Sequence, residues 1–193
     1  MRYTRIINYE LKTAPTSEPI TLAQAKNHLK VDVTTDDDLI SGLIQSVRKK
    51  VESYTGRALI AQTWYGYADK VQGVIELTKC PVISVSSIKY TDTDGNEQTW
   101  PSTEYETDLS STPARIIEAD GYSYPTVQSG LKKWKIEFVT GYGQPDDVPE
   151  DIKSAMYLLF GHLYEHRESV LPVQMSELPM GVQYLLEPYI VWR

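Results

Sequence analysis

His162 and His166 stand four residues apart, a spacing that puts two imidazoles on one face of a helix, where they could share a metal ion. Glu165 and Glu168 lie beside them. The order His-Leu-Tyr-Glu-His is not the His-Glu-x-x-His arrangement that sets a general base next to zinc, and His28 is far away in sequence. A polar flank whose imidazoles and Arg167 complement the negative end of a helix accounts for these residues without a metal. Asp36-Asp37-Asp38 is the second acidic candidate. Three consecutive carboxylates at a helix start diverge, so they read as caps for free amides and not as ligands. Cys80, the single cysteine, sits in Lys79-Cys80-Pro81 with no neighbouring residue that would depress its pKa, and reads as a structural thiol. No Gly-x-Ser-x-Gly elbow is present, and Thr140-Gly141-Tyr142-Gly143 runs into Gln144-Pro145 as a turn, not as a phosphate cradle. Carboxylates are plentiful, but nothing nominates an acid–base pair. The reading is therefore of a chain with no catalytic, cofactor-binding or metal-binding residues.

Bulk properties bound the other classes. A chain of 193 residues is long enough for one compact domain with a real core, or for a small domain with an elaborated insert. Nineteen Lys and Arg against twenty-six Asp and Glu leave a formal charge of −7, which disfavours a basic groove that neutralises phosphates. Lys132, Lys133 and Lys135 form the densest basic patch, most simply a solvated strand face. The aromatic content is dominated by fourteen tyrosines against two phenylalanines. Tyrosine joins a large apolar face to a polar tip and suits half-buried or interfacial positions. No apolar run is long enough to cross a bilayer, and residues 1–7 do not resemble a cleaved leader, so a soluble protein is expected. One cysteine fits synthesis in a reducing compartment.

The elements that would position any site follow from periodicity. Residues 1–19 read as extended and loop-like. Thr21 and Gln24 form a capping box for a short helix with Leu22, Ala25 and Leu29 on its apolar side. A Thr or Asp in 34–38 caps a longer helix over about 36–55. Leu39, Ile40, Leu43, Ile44, Val47, Val51 and Tyr54 repeat there at three- and four-residue steps, with Ser46, Arg48, Lys49 and Glu52 outward and Gly56 as the left-handed stop. From about 62 to 140 the period becomes two. Strands are expected at Thr63–Tyr67, Gly73–Leu77, Val82–Tyr90, Glu97–Trp100, Ala114–Glu118 and Lys132–Thr140, with Asp94-Gly95 turning a hairpin. The helical period returns at Pro149, with Ile152, Ala155, Met156, Leu159, Phe160 and Leu163 inward. A loop over Ser169–Leu178 then leads to a last short helix anchored by Val182, Leu185 and Leu186. The expected fold is α+β: a small helical bundle core with an antiparallel β-rich insertion between the N-terminal and C-terminal helices. Its expected parts are 1–61, 62–145 and 146–193.

Ordered pieces along the chain carry a family resemblance. They include Glu18-Pro19-Ile20-Thr21-Leu22-Ala23-Gln24-Ala25, Tyr54-Thr55-Gly56-Arg57, Cys80-Pro81-Val82-Ile83, Val139-Thr140-Gly141-Tyr142-Gly143 and Leu178-Pro179-Met180-Gly181. With these in order, the chain resembles the gp6-like head–tail connector (adaptor) proteins of tailed phages. It departs at His166, where the family's pattern has Asn, and at Thr140, where Ala is usual. The resemblance implies a structural protein of the virion neck, made in the host cytoplasm, with no enzymatic activity and no cofactor. It implies partners too: the portal protein, neighbouring copies in a commonly twelve-fold ring, and a stopper or tail-completion protein. Genome DNA would pass through the channel without specific binding. The alternatives are another phage morphogenesis role, such as a head-completion or tail-terminator-like protein, or a hydrolase. From the residues, the interface is expected in the C-terminal segment at Tyr184, Leu185, Tyr189, Ile190 and Trp192, whose amphipathic side chains suit a protein partner.

Overall fold

The structure, a computed structural model, describes residues 2–165 and 178–191, so His166, Arg167, Glu168, Leu171, Pro172 and Trp192 lie outside the described residues. The elements in chain order are β1 (Tyr3–Ile6), β2 (Asn8–Thr13), α1 (Leu22–Leu29), α2 (Asp37–Thr55), β3 (Gln62–Ala68), β4 (Val74–Leu77) and β5 (Val82–Thr91). There follow β6 (Glu97–Trp100), β7 (Tyr105–Asp108), β8 (Ala114–Glu118), β9 (Trp134–Thr140), α3 (Glu150–Glu165) and α4 (Met180–Leu186). Two compact units result. A β unit comprises 1–15, 61–142 and 191–193, and a helical unit comprises 16–60 and 143–190.

In the β unit the alternation of Trp134, Ile136 and Phe138 with Lys135 and Glu137 places the three apolar side chains inward, each at most 1% exposed. β9 is central to a five-stranded sheet of order β2-β3-β9-β5-β6, and β4 lies inside a four-stranded sheet of order β1-β4-β8-β7. Ile75, Leu77 and Ile116 from the smaller sheet join Ile88, Trp100 and the β9 residues in one buried cluster. Pairs within 62–140 are all antiparallel, as expected; the parallel pair is β1 with β4, Tyr3 opposite Val74 through Ile6 opposite Leu77.

That pair corrects the reading of 1–19 as loop-like. Residues 3–13 form two strands, of which only Ile6 is fully buried. Two glycines admit them. A Cβ on Gly66 would stand 2.9 Å from Ile6 Cγ2, so its hydrogen keeps room for the first strand against β3. Gly73, at φ +66°, would drive a Cβ to 2.2 Å from the Arg2 carbonyl oxygen, which the Val74 amide bonds at 3.0 Å. The strand β7 was also missed by periodicity, because its Tyr-Glu-Thr-Asp sequence has no buried residue.

In the helical unit Thr21 caps α1 with the reciprocal Gln24 bonds expected of a capping box. Gly56 ends α2 at φ 73°, its amide donating to the Glu52 carbonyl. The start of α2 differs from expectation. Asp36 stands at the N-cap position with no side-chain cap bond; its Oδ2 accepts instead from the Tyr164 hydroxyl at 2.7 Å, and Asp37 pairs with Lys26 at 2.6 Å. The buried face of α2 is also narrower than the apolar stripe. Ile40, Ile44, Val47 and Val51 are buried, whereas Leu39 is 42% exposed and Leu43 half-buried. On α3, Ile152, Ala155, Met156, Leu159 and Phe160 are buried and Leu163 is half-buried. Arg48, expected outward, is buried at 7% exposure because two carboxylates meet it there.

Candidate interaction surface

The C-terminal helix α4 is held from below. Val182 and Leu186 are fully buried, Leu178 nearly so, and the Gln183 side-chain amide donates to the Leu178 carbonyl at 2.6 Å. Residues four apart on a helix share a face, so the same geometry turns Met180 and Tyr184 outward together, 86% and 78% exposed. Leu158 of α3, 49% exposed, borders them, since a Cβ on Gly181 would lie 3.8 Å from its Cδ1. Leu158, Met180 and Tyr184 thus make an apolar patch across α3 and α4, with no acid, base or nucleophile in it.

The other expected interface residues lie differently. Leu185 is half-buried. Past a single 3-10 turn over Glu187–Tyr189, the Tyr189 carbonyl accepts from Arg57 Nε at 2.6 Å, and its hydroxyl donates to Asp151 at 3.2 Å. Tyr189 and Ile190 are half-buried and Val191 is buried. The structure therefore exposes Tyr184 and ties Tyr189 into the helical unit. Met180 and Leu158 were missed by sequence reasoning. The i, i+4 pair Met180–Tyr184 was the available signal: Tyr184 was read as an interface residue for its aromatic ring, without Met180 one turn before it on the same face.

Residues that invited chemistry are dispersed. His162 is exposed on α3, and the His28 ring stacks 4.9 Å from that of Tyr157. Two of the three aspartates at the start of α2 turn to different partners, Asp36 to Tyr164 and Asp37 to Lys26. Among the described residues no three His, Cys, Asp or Glu side chains gather as metal ligands would. The Cys80 thiol is fully buried, 3.5 Å from the Leu77 carbonyl. Thr140-Gly141 closes a backbone reversal, with both the Gly141 amide and the Thr140 hydroxyl bonding the Pro81 carbonyl.

Lys132, Lys133 and Lys135 do not converge either. Lys135 lies 3.9 Å over the Tyr65 ring, Lys132 lies 4.6 Å over that of Tyr67, and Lys133 bonds Gln128. Tyr67 donates to Glu10, and desolvation followed by that bond pushes its phenol up to about 12. A depression of about 280 Å3 between Val74, Asp108 and Arg115 contains one strongly shifted carboxyl. Hydrogen bonds from Ser111 and then Ser110, with Arg115 nearby, hold Asp108 well below the usual carboxylate range. A carboxylate so fully engaged makes a poor general base.

A family model, described as phage gp6-like head-tail connector protein, matches residues 19–118, just over half of the chain. The chain belongs to that family. Membership gives it a structural role as a head–tail connector, at the junction of head and tail in a virion. The matched stretch runs from α1 through β8, leaving β1, β2, β9, α3 and α4 outside it. Solved structures extend the likeness. A chain in the neck of an empty gene transfer agent particle, computed with C6 symmetry, is 22% identical with a TM-score of 0.78, covering 97% of both chains. A chain in the virion of the native particle gives 0.79, and one in the native neck computed with C12 symmetry gives 0.78, at the same identity and coverage. At that identity they show a shared fold across nearly the whole chain, including the elements outside the family match. No curated protein sequence matches the chain. The family and these structural relatives are structural components of virions and virion-like particles.

Proposed function

We propose that this connector works as one subunit of a closed ring of copies, twelve-fold as in the C12 neck, seated against the portal protein. The ring continues the channel for genome DNA, which passes without specific binding, and offers a seat to the stopper or tail-completion protein. The subunit acts by shape and contact, without catalysis or a cofactor. The carrying observation is the outward patch of Leu158, Met180 and Tyr184 on a short helix whose other side is anchored. Large apolar groups raised on a rigid element gain most when a partner takes them out of water, and aromatic anchors commonly dominate such contacts. Leu185, Tyr189 and Ile190 belong to the same contact as flanking residues; the contact expected at Trp192 falls outside the described residues. A ring needs different surfaces on its two sides, which leaves this patch free to meet either the portal or the next subunit.

Negative-stain imaging of the purified protein, alone and with its portal, tests the reading. The parent should form rings or decorate the portal. M180E/Y184E should do neither while keeping the parent's thermal midpoint. Rings and portal attachment that survive the double substitution would remove the patch from the contact. No particle under either condition would count against the connector role itself.

A further inference from the structure

The chain passes between the helical and β units four times, at 15/16, 60/61, 142/143 and 190/191. On the helical side each passage is held, within three residues, by a charged side chain. Glu18 is gripped by Arg48, with Nε 2.7 Å from Oε2 and Nη2 3.2 Å from Oε1. The Leu59 amide donates to Glu52 Oε1 at 2.9 Å, and Glu52 Oε2 accepts from Arg48 Nη1 at 3.0 Å. The Gln144 amide donates to Asp147 at 2.8 Å. The Tyr189 carbonyl accepts from Arg57, at 2.6 Å. Arg48 therefore serves two passages at once, one directly and one through Glu52, from a side chain only 8% exposed.

We propose that Arg48 is the positioning residue of a charge clasp that fixes where, on the helical unit, the chain arrives and departs. A buried ion cluster is a poor device for core stability, since an apolar side chain of similar volume often does as well or better. Its planar fork gives direction instead: three N–H groups aimed at two carboxylates define the place of residues that have no helix or strand of their own. Glu18 and Glu52 would repel each other without the cation between them. The clasp accounts for an arginine on the inward face of α2, where the apolar stripe asks for a hydrocarbon.

Hydrogen exchange of the full chain, read by mass spectrometry, separates the clasp from an ordinary core contact. In R48M, amides of 16–20 and 57–60 should exchange about tenfold faster or more, the loss expected for charge-assisted hydrogen bonds. Interior amides of α2 and α3 should hold the parent's rates, and R48K should recover part of the protection. Unchanged exchange in 16–20 and 57–60 would overturn the proposal, as would one uniform acceleration across the helical unit. E18Q provides the second arm should R48M fail to fold, because it leaves the Arg48–Glu52–Leu59 chain in place. It should loosen 16–20 alone; loosening of both stretches, or of neither, would also overturn the clasp.

Discussion

Ile44 and Leu43 are adjacent, equally apolar and energetically unlike. Ile44 is 3% exposed on the inward face of α2, so Ile44→Ala should cost about 2–5 kcal/mol. Leu43→Ala, at a half-buried position, should cost clearly less, and paired urea titrations would rank the two. The sequence offered seven apolar positions along this helix, an arc wider than the neighbouring elements cover, and periodicity alone could not choose its centre. Arg48 was illegible for a different reason. Its main partner Glu18 is thirty residues away, and a lone arginine in a helix looks solvated until that carboxylate arrives. Gly73 makes the opposite case, a residue whose role shows only in the backbone. Gly73→Ala must meet both a left-handed φ and the Arg2 carbonyl, so a loss of at least about 1–3 kcal/mol is expected, visible as a lower thermal midpoint.

Among elements, the pattern of success has a physical cause. The six strands anticipated from periodicity and turns include every interior strand. The three missed, β1, β2 and β7, are all sheet edges. Edge strands bury little, and theirs are populated by Arg, Lys, Glu and Asp, so they carry no period-two apolar signal. The fourth edge, β6, was found only because Asp94-Gly95 announced a hairpin, and Gly95 does adopt φ 89° there. The C-terminal patch was half legible: the segment was recognised by its aromatic residues, but which of them face water depends on the packing of α4 on α3. Truncation after Glu187 should now act on stability as well as contact. It removes the carbonyl that Arg57 grips, the hydroxyl on Asp151 and the buried Val191. A fall of at least about 4 °C in thermal midpoint is expected, each kcal/mol being worth roughly 2–4 °C at this size. An unchanged midpoint would show those contacts to be idle.

At the scale of the whole molecule, charge decides what the surface tolerates. With a formal −7 and its lysines spread over tyrosine rings and glutamates, the protein should bind duplex DNA only weakly and without sequence preference. Fluorescence anisotropy at physiological salt would contradict this by giving a sub-micromolar dissociation constant. The α+β class and the helical and β-rich stretches were readable from the change of period. Their grouping was less so, because residues 1–15 join the β unit although α1 and α2 separate them from the rest of it in sequence. No local pattern encodes a partner that distant.

The same long reach sets an order of events during synthesis. Arg5 pairs with Glu76, 71 residues further along, and the intervening residues include both α1 and α2. At about 5–20 residues per second, β1 leaves the ribosome roughly 4–14 s before β4, and Asn8 of β2 roughly 3–12 s before its partner Tyr67 in β3. Throughout those intervals the two strands are bare ribbon with unpaired amides and carbonyls, open to any other nascent chain. Arg5, Glu10 and Lys12, which contribute little apolar burial to the finished sheet, then discourage such pairing by charge. The mixed-charge sequence that hid these strands from periodicity analysis is thus suited to keeping them unpaired until β3 and β4 are made.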